Sequence, residues 1–321
     1  MCITNAGTGG SRVSKAVSLE SGSIPLREIP GPFDLQATIE SGQTYLWNRR
    51  DNNMFVGGAV HGGSAWYQTV VPPIDGVSTD SVVIELRQTD TELEWHASDD
   101  PIPLLTHLLR LDDDLNDIYA KLPSDSLITN AIDAFEGMRL VRDPPFVSLI
   151  SFICSAQMRV SRIHQMQKRL AETYGQTVTA DGEQFHVFPT SSELSTATEE
   201  SLRDLKLGYR APYVLDTAEM VARDEAHPEH AATQPYEQAR SYLTQFTGVG
   251  NKVADCVLLF ALGYLEAVPL DTWIQSAIEE HYPNCTGGTY AETSRAIRRQ
   301  LGGELAGYAQ TYVFYYLRSS D

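Results

Sequence analysis

The run Phe246-Thr247-Gly248-Val249-Gly250-Asn251-Lys252, with Val268-Pro269-Leu270-Asp271 downstream, constrains this 321-residue chain more than any other segment. Apolar residues recur at helical spacing on both sides of it, over 236–246 and 252–262. Gly248 and Gly250 supply the backbone freedom that a tight connection between two helices needs. The second helix then turns its first N–H groups outward, where they can grip a phosphate. A ligand-free helix connection fits the two glycines equally well, so the residues around them decide.

Lys252 falls in the first turn of an otherwise apolar helix, where the helix dipole disfavours a cation. Desolvation and the dipole together favour the neutral amine, which is the form that attacks carbon. The plainer alternative is a lysine that meets DNA phosphate or water. Asp271 opens the next helix after Pro269-Leu270. An aspartate there usually caps the helix, and its carboxylate can also face a positive centre.

The formal net charge is −18, and only five of the 24 basic residues are lysine. Such a surface suits a protein kept solvated in concentrated salt. It also argues against nucleic acid unless acids are cleared locally. They are cleared in three windows. Residues 144–171 hold no Asp or Glu but carry Arg159, Arg162, Lys168 and Arg169; 205–215 carry Lys206 and Arg210; 238–254 carry Arg240 and Lys252. An acidic protein that binds a polyanion should have this pattern.

The four cysteines (Cys2, Cys154, Cys256 and Cys285) fit neither a zinc site nor an iron–sulfur cluster. No apolar stretch is long enough to span a membrane, and the N-terminus lacks a signal-type apolar core. The expectation is a monomer with reduced thiols, in a high-salt cytoplasm or nucleoid if prokaryotic and in the nucleus if eukaryotic.

Along the chain, residues 1–23 are Gly/Ser/Thr-rich and expected as a flexible arm. Residues 24–124 read as an α+β domain: an antiparallel sheet with strands at Met54-Phe55-Val56, 65–67, 82–86 and 92–95, and a helix near 103–110. Residues 125–321 read as a mainly helical body. Its helices are expected at 146–155, 160–174, 191–206, 211–224, 235–246, 252–263, 272–281 and 290–317, with a polar loop over 176–190.

Residues 246–273 resemble the helix–hairpin–helix, Gly/Pro-rich loop and aspartate signature of DNA base-excision glycosylases. Within that superfamily the chain is most similar to the 8-oxoguanine DNA glycosylase/AP lyases. The likeness extends in order through Ser41-Gly42-Gln43-Thr44-Tyr45-Leu46-Trp47, Ser151-Phe152-Ile153-Cys154-Ser155, Leu207-Gly208-Tyr209-Arg210-Ala211, the core at 250–256 with 268–271, and Gly307-Tyr308-Ala309-Gln310 on to Phe314.

The resemblance implies double-stranded DNA containing oxidised guanine as partner, and no required cofactor. Lys252 would attack C1′ of a flipped nucleotide, and Asp271 would stabilise charge developing on the sugar. Gly42 would accept from the N7–H of 8-oxoguanine. Phe314 and Cys256 would sandwich the base, and Gln310 would read its Watson–Crick edge. Tyr209 would wedge the helix, while Arg162 and Arg210 would hold the orphaned cytosine. Gly248 and Gly250 would approach the DNA backbone, and the carbonyls of Thr244, Phe246 and Val249 would hold a monovalent cation.

The chain departs from the family at several positions. Gln157-Met158-Arg159 stands where three asparagines are usual, so Gln157 would reach the opposite base. Trp273 and Leu317 replace a histidine and an acid, and Thr247 replaces a proline. Two alternatives stay open: a related glycosylase for another oxidised or alkylated base, and a catalytically silent DNA-binding module. Alkylation-specific relatives lack the lysine, and other relatives carry the iron–sulfur cysteines; this chain has the lysine and not the cysteines.

Overall fold

The computed structural model describes residues 15–56 and 60–319. A short strand, β1 (Lys15–Val17), opens the described chain. Strands β2 (Glu20–Pro25), β3 (Asn48–Arg49), β4 (Tyr67–Val71), β5 (Val82–Gln88) and β6 (Glu92–Ala97) then form an antiparallel sheet in the order β2-β6-β5-β4-β3. Alternation along β5 sends Val82, Ile84 and Leu86 into the main core, while Val83 faces the other way.

That second face is also covered. β7 (Thr177–Ala180) and β8 (Glu183–His186) make a hairpin, and β1 joins it in parallel with β7. Val83 and Val70 bury against Ala180 and Phe185 of this small sheet and against Val187 just after it. The polar loop expected over 176–190 is therefore a hairpin. Its turn, Asp181-Gly182, has φ of 46° and 85°, a twist that suits flanking strands. Residues 15–23 of the expected arm are ordered too, because β1 and β2 complete the two sheets; residues 1–14 lie outside the described residues. Met54-Phe55-Val56, expected as a strand, falls at a turn with Phe55 at φ 58°.

Four helices accompany the sheet: α1 (Leu35–Glu40), α2 (Ile102–Leu109), α3 (Leu115–Lys121) and α4 (Ser126–Ala134). The helical body follows with α5 (Pro145–Cys154), α6 (Val160–Tyr174), α7 (Ser191–Leu194), α8 (Glu199–Asp204) and α9 (Ala211–Ala222). It ends with α10 (Tyr236–Leu243), α11 (Asn251–Phe260), α12 (Thr272–His281), α13 (Tyr290–Gln300) and α14 (Ala306–Ser319). The architecture is an antiparallel sheet with helices followed by a mostly helical body. The single helix expected over 191–206 is two, because Thr198 starts α8 with its own capping box. The helix expected over 290–317 breaks at Gly302-Gly303.

α14 binds the body to the sheet region. Tyr308, Tyr312 and Tyr315 share one buried face of it. The Tyr312 hydroxyl donates to the Met138 carbonyl at 2.6 Å, the Tyr315 hydroxyl donates to the Val60 carbonyl at 2.9 Å, and Tyr308 bonds to Asp113. The opposite face of the same helix is left for the site described below.

Asp143, just before the Pro144-Pro145 start of α5, donates its N–H to the Phe260 carbonyl at 2.8 Å, tying α5 to the end of α11. Burial pushes its carboxyl up to about 7, against a lowering hydrogen bond from Thr44. The folded chain thus holds a proton that the unfolded chain releases near pH 4. Stability from this group is full below the unfolded pKa and is lost as pH rises to about 7. Asp143→Asn keeps the shape of the protonated form. It is expected to be more stable than wild type at pH 8 and close to it at pH 4. Urea midpoints at the two pH values measure this; an unchanged difference between them would contradict it.

Candidate active site

The α10–α11 connection is a tight hairpin whose two glycines do different work. Gly248 sits at φ 83°, and a Cβ there would meet the Tyr213 ring at 2.7 Å. Gly250 has φ −93° and ψ 178°, angles open to any residue, so its backbone freedom is not what the turn uses. Nothing lies within 4 Å of where its Cβ would be, which leaves the start of α11 open to a close approach. Gly250 caps α11 without a side chain, so the first N–H groups of that helix keep no intrahelical acceptor. Gly248→Val combines a left-handed backbone with a ring clash. We expect it to lower stability by about 2 kcal/mol or more and to weaken DNA binding. A thermal melt and a duplex titration check it; a variant that melts and binds as wild type would show the turn to be adaptable.

Lys252 follows in the first turn of α11. Its Nζ lies 3.4 Å from Ser155 Oγ, to which it donates, and 5.8 Å from the centroid of the Phe152 ring. Ser155 ends α5, where its own hydroxyl donates to the Phe152 carbonyl at 2.7 Å. One turn beyond Lys252 is Cys256, which is buried. Burial pushes the Cys256 thiol up to about 11, with Lys252 pulling the other way, so the thiol is neutral at physiological pH.

Asp271 caps α12, accepting from the Ile274 N–H at 2.9 Å. Its carboxyl is raised by burial. The Ile274 N–H, Lys252, the Trp273 N–H and Arg318 each act to lower it. Asp271 is therefore both a cap and a carboxylate in the field of Lys252.

A buried network holds these two elements in register. Asp255, beside Cys256 on α11, accepts from the Tyr236 hydroxyl at 2.7 Å and the Tyr290 hydroxyl at 2.6 Å. Tyr290 in turn accepts from the Leu270 N–H at 3.2 Å, one residue before Asp271. Burial raises the Asp255 carboxyl to about 7. Arg240 belongs to this network, 3.8 Å from Asp255 and paired with Glu237. It was expected at a cleared contact surface, but it is buried between two acids, Glu237 one turn back on its own helix and Asp255 on α11.

α14 passes against the end of α1, where Arg318 meets the 40–42 backbone. Gly42 follows the last turn of α1 at φ 95°, and a Cβ there would lie 2.8 Å from Arg318 Nη1 and 3.0 Å from Val160 Cγ1. Gln43 anchors this corner: its Nε2 donates to the Arg139 carbonyl at 2.8 Å and its Oε1 accepts from the Val141 N–H at 3.1 Å. On α14, Gln310 is buried with Nε2 donating to Thr311 Oγ1 at 2.7 Å, and Phe314 is half-buried. Arg318 lies one turn further, with its guanidinium 5.3 Å from the Phe314 ring centroid. Sequence reasoning did not single out Arg318 or Ser155. The i, i+4, i+8 spacing of Gln310, Phe314 and Arg318 is a signal that could have found the first.

The three acid-free windows touch one another, and the first also reaches Gly42 through Val160. Gln157 is exposed at φ 52° in the turn between α5 and α6. The Arg210 guanidinium is buried and donates to the Ala156 carbonyl, bracing that turn. Tyr209 is 48% exposed, with Arg210 stacked 4.3 Å from its ring and Tyr213 beside it. Tyr213 also packs against Gly248, so the 205–215 window touches the hairpin. Arg162 is exposed and makes no ion pair among the described residues. Arg210 was expected to reach an orphaned base; in this structure it holds the turn that presents Gln157.

Among the described residues no His, Cys, Asp and Glu cluster is arranged to hold a metal, and Cys154, Cys256 and Cys285 are free and buried. No described helix is long and apolar enough to cross a membrane.

Comparison with known proteins agrees with this architecture. Residues 25–149 match the family model of the 8-oxoguanine DNA glycosylase N-terminal domain, and residues 150–301 match that of the HhH-GPD superfamily of base-excision DNA repair proteins. The chain is 32% identical over 317 residues to a probable N-glycosylase/DNA lyase of Methanothermobacter thermautotrophicus, covering 90% of this chain and 95% of that one. It is 26% identical to the N-glycosylase/DNA lyase OGG1 of Arabidopsis thaliana, over 91% of this chain and 79% of that one. Among solved structures it is similar to the Clostridium acetobutylicum 8-oxoguanine glycosylase/lyase in complex with double-stranded DNA containing cytosine opposite 8-oxoguanine. That likeness has a TM-score of 0.79 and 26% identity, and covers 94% of this chain and 98% of that one. With the lysine, the aspartate and the glycine hairpin assembled as described, the chain belongs to the 8-oxoguanine DNA glycosylase family of base-excision N-glycosylase/DNA lyases.

Proposed function

We propose that this enzyme flips 8-oxoguanine, opposite cytosine, out of duplex DNA, excises it through a lysine Schiff base and cuts the strand by β-elimination. The observation that carries the proposal is Lys252 beside Ser155 and in the field of Asp271, at the mouth of an open helix N-terminus. The hairpin N–H groups would take a backbone phosphate and set the sugar against Lys252. The Lys252 nitrogen bonds to C1′ as the C1′–N9 bond breaks, and the electron pair leaves on the base, which takes up a proton. Asp271, negative and fixed by its cap, favours the positive charge that develops on the sugar. Opening of the sugar ring gives the imine. Loss of a C2′ proton then expels the 3′ phosphate, and water releases the enzyme.

Gly42, Gln310, Phe314 and Cys256 would read and enclose the base. Tyr209, the exposed aromatic of the converged windows, would fill the stack, with Gln157 and Arg162 meeting the opposite base. Arg210 would act from beneath, by holding the Gln157 turn. The carbonyls of Thr244, Phe246 and Val249 would hold a monovalent cation. Phe246 already accepts from the Val249 N–H at 3.1 Å, which leaves one of its lone pairs for an ion. The acidic, lysine-poor composition suits work in a high-salt cytoplasm.

Borohydride trapping tests the proposal. A duplex with 8-oxoguanine opposite cytosine, incubated with enzyme in high salt and then reduced, should yield a covalent protein–DNA adduct. The same duplex with guanine should yield none. Absence of adduct with 8-oxoguanine would sink the lysine chemistry; equal adduct with guanine would sink the base assignment.

A further inference from the structure

We propose that Arg318 is a specificity-determining residue: its guanidinium donates to O8 of the flipped base and repels purines that carry a positive charge. The inference rests on the substrate reading above and extends it to an atom which that reading leaves without a partner.

Gln310, Phe314 and Arg318 stand four residues apart on one face of α14. Two steps of four residues span roughly 12 Å along a helix. That is about the long dimension of a purine with a hydrogen bond of about 3 Å at each end. With Gln310 at the Watson–Crick edge and Phe314 against the ring, Arg318 falls at the imidazole edge.

The contacts of Arg318 place it there independently. Its Nη1 donates to the Ser41 carbonyl at 2.7 Å and its Nη2 to the Glu40 carbonyl at 3.2 Å. These bonds pin the guanidinium at Gly42, where Nη1 lies 2.8 Å from the position a Cβ would take. In the substrate reading above, the Gly42 carbonyl accepts from N7–H. A carbonyl serves that donor but has nothing to offer the neighbouring O8, which is an acceptor. A guanidinium has five N–H groups, and two are committed to the carbonyls. Guanine carries only C–H at C8, so it would leave this partly buried donor unmatched.

The charge sorts substrates as well. An arginine is cationic at any physiological pH, and Asp271, Tyr45 and Tyr315 are the titratable groups in its field. Purines alkylated at N7 or N3 of the ring are cations. Placed against the partly desolvated Arg318 guanidinium, they meet like charge.

The test compares single-turnover cleavage of three duplexes, with 8-oxoguanine, 7-methylguanine or a preformed abasic site opposite cytosine, by wild type, Arg318→Met and Arg318→Lys. For Arg318→Met, the loss on 8-oxoguanine should exceed the loss on the abasic site about tenfold or more. The ratio of 7-methylguanine to 8-oxoguanine excision should rise. Arg318→Lys keeps the charge and one donor direction, so it should keep 7-methylguanine suppressed and recover part of the 8-oxoguanine rate. Equal losses on all three duplexes would mean a packing role and overturn the inference, as would an unchanged 8-oxoguanine rate in Arg318→Met. A wild type that cuts the abasic site but leaves 8-oxoguanine in place would overturn the substrate reading and this inference together.

Discussion

Replacing Lys252 with glutamine should abolish the borohydride adduct and lower base excision by at least on the order of 10³-fold, with the fold intact. Glutamine is close to lysine in length, and its amide can still bond Ser155 Oγ, so packing over the Phe152 ring changes little. What disappears is the amine lone pair that forms the bond to C1′. Lys252 makes no ion pair among the described residues, so its loss leaves no buried acid unpaired. The melting temperature should therefore move little, and a duplex titration should still show binding through the hairpin N–H groups. Gel analysis of trapped and cleaved strands is the measurement. A Lys252→Gln protein that still nicks 8-oxoguanine DNA would assign the chemistry to another group.

The second large effect is expected at Asp271, where two roles can be separated. Asp271→Asn keeps an oxygen to accept the Ile274 N–H, and asparagine caps helices about as well as aspartate. Stability should thus change little. The negative charge is lost, and with it the stabilisation of a cationic sugar in a site shielded from water. A loss of about 10²- to 10³-fold in single-turnover excision follows. The pH profile gives a second check. Burial raises the Asp271 carboxyl above its ordinary range, against lowering by the Ile274 N–H, Lys252, the Trp273 N–H and Arg318. Wild-type excision should fall on the acid side at a pH above that of an ordinary carboxylate, as Asp271 takes up a proton. Asp271→Asn should lack that acid limb. A variant with wild-type rate and profile would reduce Asp271 to a cap.

Much of the scaffold was legible because helical signals are local. α6 (Val160–Tyr174) and α12 (Thr272–His281) fall on the bounds that periodicity and capping set. The glycine hairpin was legible as a turn, although Gly250 serves by its absent side chain and not by its angles. The elements that were missed depend on partners far away in sequence. β7 and β8 are short and polar, and they become strands because they pair with each other, β1 pairs with β7, and the β4–β5 face needs cover. The Asp181-Gly182 turn was their one local signal. The charged residues show the same limit. Arg240 and Arg210 both lie in stretches without acids, yet the fold buries both: one against Glu237 and Asp255, the other on the Ala156 carbonyl.

Local patterns in the chain establish which chemical groups the protein owns: a lysine and an aspartate at the starts of two helices, a glycine turn between helices, and basic windows swept of acids. Local spacing is enough for that, because capping, helical period and turn formation act over a few residues. Which of these groups can act together depends on long-range packing. Packing of α14 and α1 brings Arg318 to Gly42, and the α5–α11 pair brings Lys252 to Ser155. The Asp255–Tyr290–Leu270 bonds hold α11 against the segment that ends at Asp271. Those distances follow from how apolar faces bury against one another across the whole chain, and no short stretch of sequence contains them.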